Sequence, residues 1–167
     1  MDIQQLLSIE PFDWAAIATT IFCGAIIGLE RQLRGKPVGI RTSALITLGT
    51  YVFMTTALLV ADQHTDSSRV IGQVITGIGF LGAGVMLARD GVVLGVTSAA
   101  TIWVLASIGV SVSLGYQLAS IKLSLICIAI LYGVDLLEEH TVAFSRGVHA
   151  RYLGRRGQDH RKNISDS

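Results

Sequence analysis

Charged side chains are scarce in this 167-residue chain, at 15% of residues, whereas soluble domains carry about 25%. Hydrophobic residues make up 51% of the chain, and its mean hydropathy is +0.59. This shortage of charge indicates that water is not the main solvent of the protein. The length leaves room for one domain, which we expect to lie in a membrane.

The chain also lacks the residue clusters that catalysis requires. Its two cysteines, Cys23 and Cys127, fall near the middle of apolar stretches, where small packing residues are expected rather than metal or redox groups. The sequence has no His-Asp-Ser constellation, no ligand-spaced Cys/His set and no phosphate-binding loop. We therefore predict no enzyme and no resident cofactor, with Mg²⁺ considered only as a substrate or ligand. Nucleic-acid binding is not expected, because membrane topology accounts for the basic residues.

One glycine-rich stretch, GIGFLGAG at 77–84, has the GxGxxG pattern of a dinucleotide-binding turn. That turn requires an acidic residue about 20 positions further on, and none stands there. The glycines instead lie inside 70–88, which contains one amide and no charge and is long enough to span a bilayer. We interpret them as part of a membrane helix.

Long apolar stretches predict an all-α, polytopic helical bundle. Five spans are expected within a transmembrane domain of residues 1–140, at about 14–30, 42–61, 70–88, 96–112 and 117–137. The last two form one apolar run, which as a single helix would be about 70 Å long. Because that is over twice the thickness of a bilayer core, we place a turn at 111–117.

The distribution of basic residues predicts the orientation. Eleven of the thirteen lysines and arginines fall in the first connection, in Arg89 of the third connection, or in a basic tail at 141–167. Because such residues accumulate in cytoplasmic loops, we expect an outside N-terminus and a cytoplasmic C-terminus. Acidic residues precede the first span, so that span is expected to be an anchor and not a cleaved signal.

The first two hairpins resemble each other. A shift of 55 residues places Gly24 on Gly79, Gly28 on Ala83, Arg34 on Arg89, and Thr42-Ser43-Ala44 on Thr97-Ser98-Ala99. The hairpins would then be parallel repeats, although chance similarity between helices rich in small residues is the alternative. In each copy the threonine is predicted to be the N-cap of the second helix, so Thr42 and Thr97 are candidate functional residues.

Small residues recur at helical spacing in the first and third spans. They predict helix-packing surfaces, since small residues let membrane helices approach closely; the candidates are Gly24, Gly28, Gly72, Gly77, Gly79, Gly82, Ala83 and Gly84. The alternative is that some of these glycines open the helix and free carbonyl groups for an ion. Close-packing faces of this kind also favour a homo-oligomer, with a dimer the simplest case.

Charged residues gather where the predicted spans meet the cytoplasm. They are Glu30, Arg31, Arg41, Arg89 and Asp90. Ionisable groups at such depth are costly to bury and often functional, but interfacial residues that pair with each other would look the same.

Gln73 is the strongly polar residue inside the third span. It requires a partner across a helix interface or a wet cavity.

Three linked motifs then carry a family resemblance: GAIIGLERQLRGKPVGIRT, DSSRVIGQVITGIGFLGAGVMLARDG and GVTSAATIWVLASIG, in this order. From about Gly24 to Gly115 the chain resembles the MgtC/SapB family of bacterial membrane proteins. The resemblance implies a protein of the bacterial inner membrane linked to growth at low magnesium and to acid tolerance. Because members are often labelled magnesium transporters, we expect this chain to move Mg²⁺ or another cation; the alternative is a non-transporting regulator that binds another membrane complex.

The resemblance also marks individual residues. They are Glu30, Arg31, Gly39, Arg41, Thr42, Arg69, Gly77, Gly79, Gly82, Gly84 and Thr97. Glu30 and Asp90 are weak magnesium candidates, because Mg²⁺ takes one or two carboxylates while nearby arginines would neutralise both. Many members carry a soluble domain after the last span. Here about thirty residues follow it, too few for a separate core, which predicts a short form.

Overall fold

The computed structural model describes residues 8–61, 67–89 and 92–140, and within them the chain is almost entirely helical. In chain order the helices are α1 (Trp14–Leu33), α2 (Ile40–Val60), α3 (Ser67–Val85), α4 (Val96–Ser113) and α5 (Gln117–His140). All five are long and apolar enough to cross a membrane. The predicted all-α helical bundle is thus confirmed, and its five helices begin and end within a few residues of the five predicted spans.

The caps of the helices explain where they begin. A carboxylate oxygen of Asp13 accepts a hydrogen bond from the Ala16 amide at 2.9 Å and caps α1. Helices α2 and α4 begin instead after glycines, Gly39 in an extended conformation and Gly95 in the left-handed region at φ +87°.

The prediction that Thr42 and Thr97 are N-caps is wrong. Both residues lie inside the first turn of their helices, because the preceding glycines supply the non-helical backbone conformation. The two N-caps are glycines, so neither has a side chain that could cap its helix. The neighbouring Ser43 hydroxyl donates to the Val38 carbonyl at 3.0 Å instead.

Residues up to Ile128 form one compact unit. In it α1 packs on α2, α2 packs on α4, and α1 also contacts α4. The side chains that fill the centre are aliphatic or small, among them Cys23, Ile27, Met54, Ile102, Leu105 and Ile108. Hydroxyl groups are buried beside them and donate to backbone carbonyls; Thr47 on α2 bonds the Thr20 carbonyl on α1 at 2.8 Å. Such bonds join helices where no water is present.

Helix α3 lies at the outside of the bundle. Only 6% of its membrane-spanning stretch is buried. It packs against α4, where a Cβ on Gly82 would lie 3.7 Å from the Ala99 side chain, and it touches α2 only sparsely. Most of the α3 surface is therefore not covered by the other described helices.

A short antiparallel hairpin joins α3 to α4 and was not predicted. Strand β1 (Leu87–Arg89) pairs with β2 (Val92–Leu94), with Leu87 opposite Leu94 and Arg89 opposite Val92. The two residues between the strands are Asp-Gly in the sequence, the dipeptide that most favours tight hairpin turns. That signal was available in the sequence.

Helix α5 begins in the first unit and packs against it through small residues. Ser120, Ser124 and Cys127 are buried on one face at helical spacing. Residues from Ala129 onward belong to a second compact unit, in which the described residues continue α5 to His140. The predicted basic tail at 141–167 lies outside the described residues.

Candidate functional site

An ion pair stands at the C-terminal end of α1. The Glu30 carboxylate and the Arg34 guanidinium are one helical turn apart, and Glu30 Oε1 lies 2.8 Å from Arg34 Nε. The Glu30 side chain is only 9% exposed, whereas Arg34 is 25% exposed. The carboxylate is thus buried, and its charge is compensated from its own helix.

Arg31, next to Glu30, links α1 to α4. It is 3% exposed, and its Nη2 atom donates to the Ser98 hydroxyl at 2.5 Å. Ser98 lies in the first turn of α4. A cation in the last turn of α1 is favourable for that helix, because the carbonyl ends of a helix carry partial negative charge. Glu30, Arg31, Arg34 and Ser98 are referred to below as the arginine cluster.

The electrostatics of the arginine cluster argue against a ready-made cation site. It contains two guanidinium groups and one carboxylate, so its net charge is +1. Neither Glu30 oxygen accepts a well-directed hydrogen bond from any residue that the structure describes. The short distance to Arg34 is therefore a charge contact more than a directed bond. Within the described ranges no group of three or more His, Cys, Asp or Glu is placed to hold a metal ion.

Three other predicted residues near these helix ends, Arg41, Thr42 and Thr97, are not part of this cluster. Arg41 and Thr42 are exposed near the start of α2, and Thr97 is exposed near the start of α4. Arg89 ends strand β1, and Asp90 lies outside the described residues. Among the charged residues that the sequence grouped together and whose side chains the structure describes, Glu30 and Arg31 lie in the cluster and Arg41 does not.

The glycines of α1 lie at a very close helix crossing. A Cβ placed on Gly24 would lie 2.7 Å from the Ala44 Cα atom, and one on Gly28 would lie 2.6 Å from the Ile40 Cα atom. No larger side chain fits there while the two backbones stay in place. On this pair of helices the small residues are what allow α1 and α2 to approach.

The glycines of α3 are in a different situation. A Cβ placed on any of four of them would meet nothing within 4 Å of the described structure: Gly72, Gly77, Gly79 and Gly84. Gly82 contacts α4, and Ala83 is exposed. Arg69 and Gln73 lie towards the start of this helix and are also exposed. Within a single chain, most of the small-residue surface of α3 is therefore open.

A cleft of about 730 Å³ separates α2 from α3. Its walls are mostly aliphatic and aromatic, with glycine on both sides at Gly49 and Gly77. Gln73 lies in the wall that α3 provides, and Thr42 lies at the opposite end of the cleft. Thus three of the predicted residues, Thr42, Gln73 and Gly77, line this cleft and are not part of the arginine cluster.

Comparison with known proteins decides the family. The model of the MgtC family matches residues 17–140. The chain belongs to the MgtC family. It is 46% identical over 110 residues to "Putative magnesium transporter YhiD" of Escherichia coli K12, an alignment that covers 61% of this chain and 51% of the relative.

Two further relatives lie in the same range. An uncharacterized protein of Haemophilus influenzae is 42% identical over 102 residues, which covers 56% of this chain and 43% of the relative. Protein MgtC of Salmonella typhimurium LT2 is 39% identical over 99 residues, which covers 59% of this chain and 42% of the relative. The chain thus spans about half the length of these curated relatives or somewhat less. No solved structure matches it.

Membership of the MgtC family confirms the resemblance that the motifs indicated. Two residues of the arginine cluster, Arg34 and Ser98, were not among the predicted site residues. Arg34 follows Glu30 at the i, i+4 spacing of helical ion pairs, so the sequence held a signal for it. Ser98 is 67 residues from Arg31, and only the fold brings the two together.

Proposed function

We propose that this chain is a multi-pass protein of the bacterial inner membrane that serves magnesium homeostasis, and that it acts when magnesium is scarce or the medium is acid. Support comes from its membership of the MgtC family and from the name of the E. coli relative, "Putative magnesium transporter YhiD". Growth of a bacterium that lacks its own family member tests this role. Expression of the chain should restore growth in low-magnesium medium, and growth that stays defective with the protein present in the membrane would contradict it.

For the mechanism, we infer that the chain acts by binding another membrane protein rather than by moving Mg²⁺ itself. The observation that carries this choice is the pairing of charges in the arginine cluster. The Glu30 carboxylate lies 2.8 Å from Arg34, and the buried Arg31 follows it in the chain. A cation at Glu30 would have to displace one guanidinium and remain near a second, which is unfavourable where the effective dielectric constant is low.

The open face of α3 supports this mechanism. Gly72 and Gly79 lie on one side of the helix, and a Cβ on either would meet nothing within 4 Å. In membranes, helices associate through such surfaces because their backbones can approach closely and pack by van der Waals contact. A different membrane complex is the partner that we propose. A second copy of this chain is the other partner that the same surface suits.

Photo-crosslinking in native membranes tests the proposed partner. A photoreactive residue replaces Gly72 on α3 or, as a matched control, the exposed Leu125 on α5. We expect a second protein to be recovered from Gly72 and not from Leu125. Recovery of lipid alone, or of this chain alone, would count against a regulatory partner.

Transport of Mg²⁺ is the second candidate mechanism, and one feature of Glu30 favours it. Its carboxylate oxygens are buried and accept no well-directed hydrogen bond from the described residues. If the Arg34 side chain moved away, both oxygens would be available to the water shell of Mg²⁺, which the ion tends to retain. Magnesium would then be the substrate and not a resident cofactor.

Flux of Mg²⁺ into liposomes that hold the pure protein separates the two mechanisms. Glu30→Gln removes the carboxylate charge at nearly constant size, and Glu10→Gln, at an exposed position before α1, is the matched control. Flux above that of empty vesicles that falls with Glu30→Gln only would establish transport and overturn the regulatory mechanism. Equal flux with folded protein and with empty vesicles would remove the transport mechanism.

A further inference from the structure

The cleft between α2 and α3 is elongated along the two helices. Its α2 wall runs from Thr42 to Ala57, which at 1.5 Å per residue is about 22 Å. The cleft is therefore long enough for an extended, flexible chain to lie along it.

The walls of the cleft are apolar over most of its length. Leu45, Gly49 and Phe53 follow one another on α2 at four-residue spacing and so share one face. A Cβ placed on Gly49 or on the facing Gly77 would meet no atom of the described structure within 4 Å. At membrane depth, walls of this kind favour an apolar occupant such as the acyl chain of a lipid.

Near one end of the cleft, α3 presents a cation and then an amide. Arg69, Gln73, Gly77 and Leu81 follow one another at four-residue spacing along α3, so they form one row on the helix surface. Gln73, Gly77 and Leu81 line the cleft, and the exposed Arg69 lies one turn before them. From the N-terminal turn of α3 towards its middle, the row presents a cation, then an amide about 6 Å further along the helix, and then apolar groups.

The Gln73 amide is the group in this row that requires a hydrogen-bond partner. It is exposed within a membrane-spanning helix and makes no hydrogen bond to the residues that the structure describes. An unsatisfied amide in hydrocarbon is costly, so Gln73 requires a partner from outside the bundle. In a phospholipid, a phosphate is followed by an ester carbonyl and then by an acyl chain. In the same order, the cleft presents the Arg69 cation, the Gln73 amide donor and the apolar wall.

We propose that this cleft is a binding site for one anionic phospholipid. Its phosphate pairs with Arg69, an ester carbonyl accepts a hydrogen bond from Gln73, and an acyl chain lies between Gly49 and Gly77. A lipid with net negative charge is selected because Arg69 attracts it, while the ammonium group of a zwitterionic lipid offsets that attraction. The site is independent of the proposed role in magnesium homeostasis, since it shares no residue with the arginine cluster.

Native mass spectrometry of the protein released from nanodiscs of phosphatidylglycerol and phosphatidylethanolamine tests the proposal. Gly77→Leu fills the cleft without a clash inside the chain, and Gly72→Leu is the matched control on the opposite side of α3, also in open space. We expect one retained phosphatidylglycerol in the unaltered protein and in Gly72→Leu, and none in Gly77→Leu. Arg69→Gln should lower the preference for phosphatidylglycerol about fivefold, the effect of one surface cation.

Three outcomes would overturn the site. They are equal retention of the two lipids by the unaltered protein, unchanged retention in Gly77→Leu, and a cross-link from Gly77 to a second copy of the chain, which would place protein in the cleft. Gly49→Leu fills the passage from α2 and provides a second variant, so a folding defect in Gly77→Leu alone does not decide the matter.

Discussion

Replacing Gly24 with alanine adds a methyl group where α1 and α2 cross at their closest. The new Cβ would lie 2.5 Å from the Thr47 hydroxyl oxygen, 2.7 Å from the Ala44 Cα atom and 2.7 Å from the Ser43 carbonyl oxygen. Two of these atoms belong to the backbone, so rotation of a side chain cannot relieve the contact. The helices must move apart, and the Thr47 hydroxyl bond to the Thr20 carbonyl, 2.8 Å long, is lost with the movement.

The expected cost combines two effects. Overpacking of a well-filled interior costs about 1–3 kcal/mol. The lost hydrogen bond between membrane helices adds about 0.6 kcal/mol. Alanine also favours the helix over glycine by up to about 1 kcal/mol, which offsets part of the loss. A matched variant removes this offset from the comparison: Gly49→Ala, on α2, gains the same helix propensity and meets nothing within 4 Å.

The measurement is the free energy of unfolding in mixed micelles as SDS is raised, followed by circular dichroism. We expect Gly24→Ala to be less stable than Gly49→Ala by about 2–3 kcal/mol, or roughly 30- to 160-fold in the unfolding equilibrium. If the two variants unfold at the same SDS fraction, α1 and α2 do not cross at Gly24 as described. The reasoning would also fail if Gly49→Ala were the less stable of the two.

Two further variants test contacts elsewhere in the bundle. Ser98→Ala removes the hydroxyl that accepts from the buried Arg31, and should lower the free energy of unfolding by about 1–3 kcal/mol; no loss of stability would mean that the bond is not formed. Gly95→Ala should be less stable than Gly115→Ala, because both glycines have positive φ, +87° and +86°, but only a Cβ on Gly95 would clash, 2.5 Å from the Val85 carbonyl oxygen. The same SDS titration measures the difference, which the clash sets at about 1–3 kcal/mol, and equal stability of the pair would contradict it.

The number and placement of the helices could be predicted because hydrocarbon imposes a simple rule. A span must be long, apolar and internally hydrogen-bonded, and each of these requirements is visible in a single sequence. The residues at which the helices begin were harder to predict. Thr42 and Thr97 have the side chains of N-caps, but Gly39 and Gly95 precede them and adopt the backbone conformation that ends the loop. At both helix starts, the conformational freedom of the glycine backbone outweighed the preference of threonine side chains for the N-cap position.

The repeat shows a second limit of sequence reasoning. A shift of 55 residues places Gly24 on Gly79, yet the α3 glycine that lies beside Ala99 is Gly82, whereas Gly24 lies beside Ala44, the equivalent of Ala99. The second helix pair is thus packed with α3 in a different rotation. Spacing along a sequence predicts which residues share a helix face, but not which neighbour that face meets.

The candidate site was predictable only in part for the same reason. Glu30 and Arg31 were identified by their charge at the end of an apolar span, and Arg34 follows at a recognisable helical spacing. The contact between Arg31 and Ser98 joins α1 to α4 and depends on the tertiary fold. The cleft between α2 and α3 likewise exists only because α3 packs on α4 and leaves α2 largely uncovered.

The orientation of the five helices is the most direct test of the account, because the arginine cluster, the open face of α3 and the lipid cleft are all placed relative to the two membrane surfaces. Cys23 and Cys127 are buried, and replacing both by serine gives a background for single cysteines. A thiol reagent that cannot cross the membrane is then applied to intact cells that carry a cysteine at the exposed Lys36 or the exposed Tyr116. The account predicts labelling at position 116, and labelling at position 36 only after the cells are permeabilised. Labelling at position 36 in intact cells, with protection at 116, would contradict it.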